Sequence, residues 1–223
     1  MARLTGRARA SALAGLYAAL GIANSVAAAK RSRAVQWATK PLLMPVRAAF
    51  ALAVAADREA DLRLPAAAIA LSGLGDTALL GAESSDSWFV PGMGAFASAH
   101  ACYITALARA GAARGVRPRV AAGYAALWAV LIAVLWRNLG SLRVPVAAYS
   151  LLLVAMAVLA SGRNRAAAAG GALFVVSDAL IACGLAGIDA VPGQDSAVMP
   201  TYVAAQFLLA AGFLRPPRDN QKP

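Results

Sequence analysis

Two carboxylates stand where carboxylates are expensive. Asp76 lies within the apolar run Ala70-Leu71-Ser72-Gly73-Leu74-Gly75-Asp76-Thr77-Ala78-Leu79-Leu80, and Asp178 within Leu173-Phe174-Val175-Val176-Ser177-Asp178-Ala179-Leu180-Ile181. Both runs read as membrane spans, where an ionisable side chain costs about 2.5 kcal/mol or more even on insertion scales. Acids kept at that cost mark a functional site. Desolvation and a neighbouring like charge can keep one carboxyl of a pair protonated while the other stays ionised, and that suits proton transfer. The groups available beside them are Lys40, the single histidine His100, and Tyr103, Tyr149, Ser177, Tyr202 and Gln206.

Several other chemistries are excluded. One histidine cannot build a tri-histidine metal centre, and Cys102 and Cys183 lie in separate apolar blocks without ligand spacing. They read as buried thiols. No Gly-x-Ser-x-Gly elbow, His-Glu-x-x-His helix or phosphate-binding glycine loop occurs. No cofactor or metal is therefore expected. Taken singly, the site residues also have plainer readings. Asp76 or Asp178 could pair with Lys40 or Arg47 as a packing element, the tyrosines could be packing or interfacial aromatics, and Ser72 could bond within its own helix, four residues before Asp76. Gly73, Gly75, Gly92 and Gly94 read as close-packing positions.

The elements that position these groups follow from composition. Of 223 residues 61% are hydrophobic and 14% charged, and the apolar residues come in blocks. At about 20 residues per span the length predicts an all-α, polytopic membrane bundle of about eight helices, one integral membrane domain over residues 1–223 with short polar tails at about 1–10 and 215–223. The first apolar run, ending near Ala29, resembles a signal peptide with a small-residue cleavage site. It reads better as a retained helix, because another span follows. The second span is expected to start at Pro41, after a basic connection holding Lys30, Arg31, Arg33 and Lys40. Pro65 opens the third span, Gly92 the fourth, and Val144 the sixth. The fifth ends at Trp136, the seventh follows Arg165, and the eighth ends at Phe213-Leu214. Mixed-charge and acidic connections fall at Asp57–Arg63, Glu83–Pro91 and Asp189–Asp195.

The net charge of +11 reflects loop Lys and Arg rather than nucleic-acid binding, since no recognition module or basic helix face appears. Alternate connections hold fourteen basic residues against six, which predicts a multi-pass cell-membrane protein with both termini cytoplasmic. On that topology Asp76 and Asp178 reach similar depth, and polar groups from six spans fall in one layer, with Lys40 at the outer end of span two.

The ordered set Thr39-Lys40-Pro41-Leu42-Leu43-Met44-Pro45, Gly75-Asp76, Phe96-x-x-x-His100-x-x-Tyr103, Pro145 with Tyr149, Phe174-x-x-Ser177-Asp178 and Tyr202-x-x-x-Gln206 resembles the YhhN family, which includes the lysoplasmalogenases. The resemblance runs from span two to span eight. It implies an eight-helix membrane enzyme that hydrolyses the vinyl ether of a lysoplasmalogen to a fatty aldehyde and a glycerophospho-alcohol, with Asp76 and Asp178 as the functional acids. The partners implied are an ether lysophospholipid and membrane lipid, with no protein partner indicated. A transporter or binding protein for an amphiphile or cation would use the same carboxylates. Such proteins often carry internal repeats, and here Gly75-Asp76 and Ser177-Asp178 agree only at the dyad.

Overall fold

The computed structural model describes residues 2–55, 62–82 and 86–215, with side chains from residue 6 onward and from 87 in the last stretch. Parts of the mixed-charge connection at 57–63 and of the acidic connection at 83–91, and the tail beyond Arg215, lie outside the described residues. Among the described residues the chain is all helical: α1 Ala2–Ala29, α2 Arg33–Ala55, α3 Arg63–Ala82, α4 Phe89–Arg109, α5 Pro118–Leu135, α6 Arg143–Arg163, α7 Arg165–Leu185 and α8 Gln194–Phe213, with short 3-10 turns between some of them.

Seven of the eight α-helices are long and apolar enough to cross a bilayer. The chain is a multi-pass membrane protein. α4 differs from the other seven. Its 21 residues would reach about 31 Å, comparable to the hydrocarbon core, but Pro91, Gly92, Gly94, Ser98, His100 and Tyr103 dilute its apolar character. The outward faces elsewhere are those of a protein solvated by lipid. Leu52, Leu74, Val130, Val134 and Val144 are each at least 60% exposed, a pattern that water would penalise and hydrocarbon does not.

The helices group into two compact units, Met1–Cys102 and Tyr103–Pro223. In the first, α1 packs on α2 and α2 on α3. Asn24 of α1 ties its amide to the Thr39 hydroxyl at 2.7 Å and to the Gln36 carbonyl at 3.4 Å. That tether lies upstream of Pro41, and it corrects the expected start of the second span. α2 begins at Arg33, so Pro41 and Pro45 both sit inside the helix. Each proline removes one backbone donor, a loss that membrane helices tolerate when neighbours and side chains compensate. Lys40 is therefore no loop residue at the span's end but lies two turns within α2. Two glycines let the helices approach. A Cβ on Gly73 would meet the Met44 side chain of α2 at 3.2 Å, and one on Gly75 would strike the Phe96 ring at 2.5 Å. Gly92 likewise faces Ala78 and Leu79, whereas nothing lies within 4 Å of a Cβ on Gly94.

In the second unit, helices adjacent in sequence pack in order from α5 to α8. The tightest seam is α7 on α8. A Cβ on Gly170 would meet the Leu209 amide at 2.7 Å, and one on Gly212 would meet Ala167 at the same distance. At the head of α7 the Asn164 side chain accepts from the Ala167 N–H at 3.0 Å, and its amide donates to the Gly212 carbonyl at 2.9 Å, so the cap also anchors α8. Cys183 is buried, Cys102 is half-buried, and both are free thiols.

Candidate functional site

Asp76 and Asp178 occupy matching places along their own helices. Asp76 lies 13 residues beyond Arg63 in α3, and Asp178 lies 13 beyond Arg165 in α7. Each is about 20 Å along its helix from the basic end.

In the first unit, Asp76 is buried and its Oδ1 stands 3.6 Å from Lys40 Nζ, with side-chain exposures of 2% and 12% respectively. The sequence allowed this pair as a packing element, and Lys40 makes it from within α2. Lys40, Met44 and Arg47 recur at helical spacing on one face of α2, and Met44 packs on Gly73 of α3. Arg47 is 1% exposed, with one guanidinium nitrogen 3.9 Å from the Met44 sulfur. His100 of α4 is fully buried.

Ser72 contradicts its plain reading. It is fully buried, and its Oγ makes no hydrogen bond to its own helix or to any other described residue. An orphaned buried hydroxyl costs about 1–3 kcal/mol. Its neighbour Thr77 donates to the Gly73 carbonyl at 2.9 Å, as helical hydroxyls generally do.

In the second unit, the Tyr149 hydroxyl donates to Asp178 Oδ2. Both side chains are half-buried. Ser177, beside Asp178, donates its hydroxyl to the Val198 carbonyl of α8 at 3.1 Å. A separate network joins three other expected residues. Tyr103 O–H donates to Gln206 Oε1 at 3.4 Å, and Gln206 Nε2 donates to the Tyr202 oxygen at 3.0 Å. Tyr103 stacks on Phe213 with centroids 5.8 Å apart, and Phe174 meets Tyr202 edge-on at 5.5 Å. All three polar residues of this network are buried.

The expected residues thus resolve into local groups: Lys40 with Asp76, Tyr149 with Asp178, and Tyr103 with Gln206 and Tyr202. Ser177 serves as a tie between helices. The orphan at Ser72 and the tether at Asn24 carried no signal in the sequence beyond their being polar residues in apolar runs. Among the described residues no group of three His, Cys, Asp or Glu side chains is placed to hold a metal ion.

These features define a polytopic helical membrane protein with acids set deep in two of its helices. The YhhN family model matches residues 35–213, and the chain belongs to that family. A human protein named lysoplasmalogenase is 33% identical over 150 residues, covering 67% of this chain and 63% of its own length. Proteins of the same name from Mycobacterium bovis and Mycobacterium tuberculosis are each 36% identical over 191 residues, covering 80% of this chain and 70% of their own length. The chain therefore spans somewhat under two thirds of the human relative it matches. No solved structure matches it significantly.

Proposed function

We propose that this protein hydrolyses the vinyl ether bond of lysoplasmalogen-type lipids, releasing a fatty aldehyde and a glycerophospho-alcohol. The observation that carries the reading is a pair of carboxylates at matching places along α3 and α7, each touching a polar side chain of unlike kind. Membership of the YhhN family and the name shared by the relatives support the choice of substrate.

Hydrolysis begins with proton transfer to the alkene carbon remote from oxygen, which leaves an oxocarbenium ion. Water adds to the carbon bearing oxygen and gives up a proton to a carboxylate, the hemiacetal hydroxyl proton passes to the glycerol oxygen as that C–O bond breaks, and the alcohol and the aldehyde are released. An acid must deliver the first proton, and a negative charge must stabilise the cation and orient the water. The ion pair with Lys40 suits Asp76 to the second task. Asp178 then supplies the proton. Tyr149 donates to Oδ2 and so fixes the carboxyl's orientation, while Oδ1 carries the transferable hydrogen. Lys40, His100, Tyr103, Tyr202 and Gln206 serve in substrate binding and in shaping the interior, and Ser177 ties α7 to α8. The scheme needs no cofactor.

In cells the protein lies in the cell membrane with both termini cytoplasmic. The basic bias supports this orientation, and placing Lys40 inside α2 weakens the one dissenting connection. A C-terminal fusion should be active with a cytoplasmic reporter and silent with an exported one.

Purified protein presented with lysoplasmalogen and with its saturated ether analogue tests the reading. Aldehyde should appear from the vinyl ether alone. Failure to release aldehyde, with the lipid instead carried across or merely retained, would replace the hydrolase by a transporter or binding protein.

A further inference from the structure

The orphaned hydroxyl of Ser72 has an alternative that it declines. Ser25, Thr39, Thr77, Ser98 and Thr201 each donate to the carbonyl four residues back, at 2.7 to 2.9 Å. Ala68 offers Ser72 the same carbonyl, yet the Ser72 Oγ takes no partner. Its direction follows from helix geometry. At about 100° per residue, Ser72 and Asp76 share one face of α3, with Gly73 on one flank and Gly75 on the other. Gly73 packs on Met44 of α2 and Gly75 on Phe96 of α4. The shared face therefore points between α2 and α4, toward the Lys40–Asp76 pair.

A fully buried hydroxyl has one donor and two acceptor positions to satisfy. Here it stands a turn from a carboxylate that accepts and that is itself paired with an ammonium that donates. The group that satisfies all three is small and both donates and accepts, which describes a hydroxyl oxygen. Resting on the function proposed above, we infer that Ser72 binds a hydroxyl oxygen of the reaction within the Lys40–Asp76 subsite. Two sources share that chemistry: the attacking water, and the free secondary hydroxyl that a lysolipid carries on the glycerol carbon next to its ether. An alkenyl-acyl lipid, with that oxygen esterified, has no hydrogen to donate there. If the lipid hydroxyl is the ligand, Ser72 selects for lysolipids.

Ser72→Ala, compared with wild type in three measurements, tests the inference. Thermal stability should be unchanged or higher, because the substitution removes an unsatisfied buried group. Binding is then measured with the non-hydrolysable 1-alkyl-2-hydroxy lysolipid and its 2-deoxy counterpart. Turnover is measured with the matching vinyl ethers. With the lipid hydroxyl as ligand, wild type prefers the 2-hydroxy compound by tenfold or more in binding and Ser72→Ala abolishes the preference. With water as ligand, binding is unchanged and Ser72→Ala lowers kcat tenfold or more on both vinyl ethers alike. Should wild type bind the lysolipid without cleaving it, the hydrolase reading fails while the binding comparison still reports on Ser72. Unaltered binding together with unaltered or absent turnover overturns the inference. So does a loss of stability that tracks the loss of activity, since Ser72 is then a packing residue.

Discussion

Asp76 and Asp178 are the same residue at the same distance along similar helices, yet their surroundings are opposites. Asp76 is buried at 2% exposure beside an ammonium, and the serine on its face has no partner. Asp178 is half-buried and accepts from a phenol, and its neighbouring serine is bonded to a facing helix. Position along a helix sets depth, but the partner sets chemistry. A carboxylate beside a lysine is equipped to hold negative charge, and one beside a tyrosine hydroxyl is equipped to be held and oriented while it exchanges a proton. Two identical residues can thus take unlike parts in one reaction.

Substitutions that erase this difference should rank accordingly. The largest effect is expected from Asp76→Asn and Asp178→Asn, each keeping volume while removing the titrating group. Each should lower kcat by about 100-fold or more, as loss of a general acid or base does, in protein that still inserts and binds the saturated ether. Tyr149→Phe comes next, with a loss on the order of 10-fold, because its hydrogen bond orients the Asp178 carboxyl and strengthens as that carboxyl gives up its proton. A Tyr149→Phe enzyme as active as wild type would detach the phenol from the mechanism. Lys40→Met should cost less than either Asp substitution, because it removes the partner of Asp76 at 3.6 Å and leaves the carboxyl itself in place. Activity as low as that of Asp76→Asn would instead make Lys40 a direct participant. The smallest effect belongs to Ser177→Ala. Its hydroxyl is already spent on the Val198 carbonyl, so turnover should stay near wild type while stability falls by about 1 kcal/mol. A large kinetic loss there would erase the contrast with Ser72.

Much of this was legible in the sequence. Apolar blocks of span length gave the helices, because only internally bonded helices or closed barrels satisfy a backbone in lipid. The cost of burying acids singled out Asp76 and Asp178. What the sequence could not supply was rotation and register. Polar residues in one layer need not touch, and the pairing of Tyr149 with Asp178 depends on how α6 and α7 turn toward each other. Pro41 marks a first turn by preference only. The helix runs back to Arg33, where Asn24 holds the first turns of α2 to α1, and that shift carries Lys40 from a loop to the side of Asp76. The fourth span is expected from Gly92, and the structure starts α4 at Phe89, with glycine, proline and histidine that leave it less apolar than the other seven. The orphaned Ser72 hydroxyl is a matter of side-chain rotamer, which spacing does not encode.

The most direct test of the central claim, that two differently equipped carboxylates serve one reaction, is the turnover of the double variant Asp76→Asn/Asp178→Asn set against the two singles. Residues acting as a unit are strongly non-additive. The double variant should therefore be about as slow as the slower single, with the saturated ether still bound. Losses that multiply, or a double variant near wild-type turnover, would contradict it.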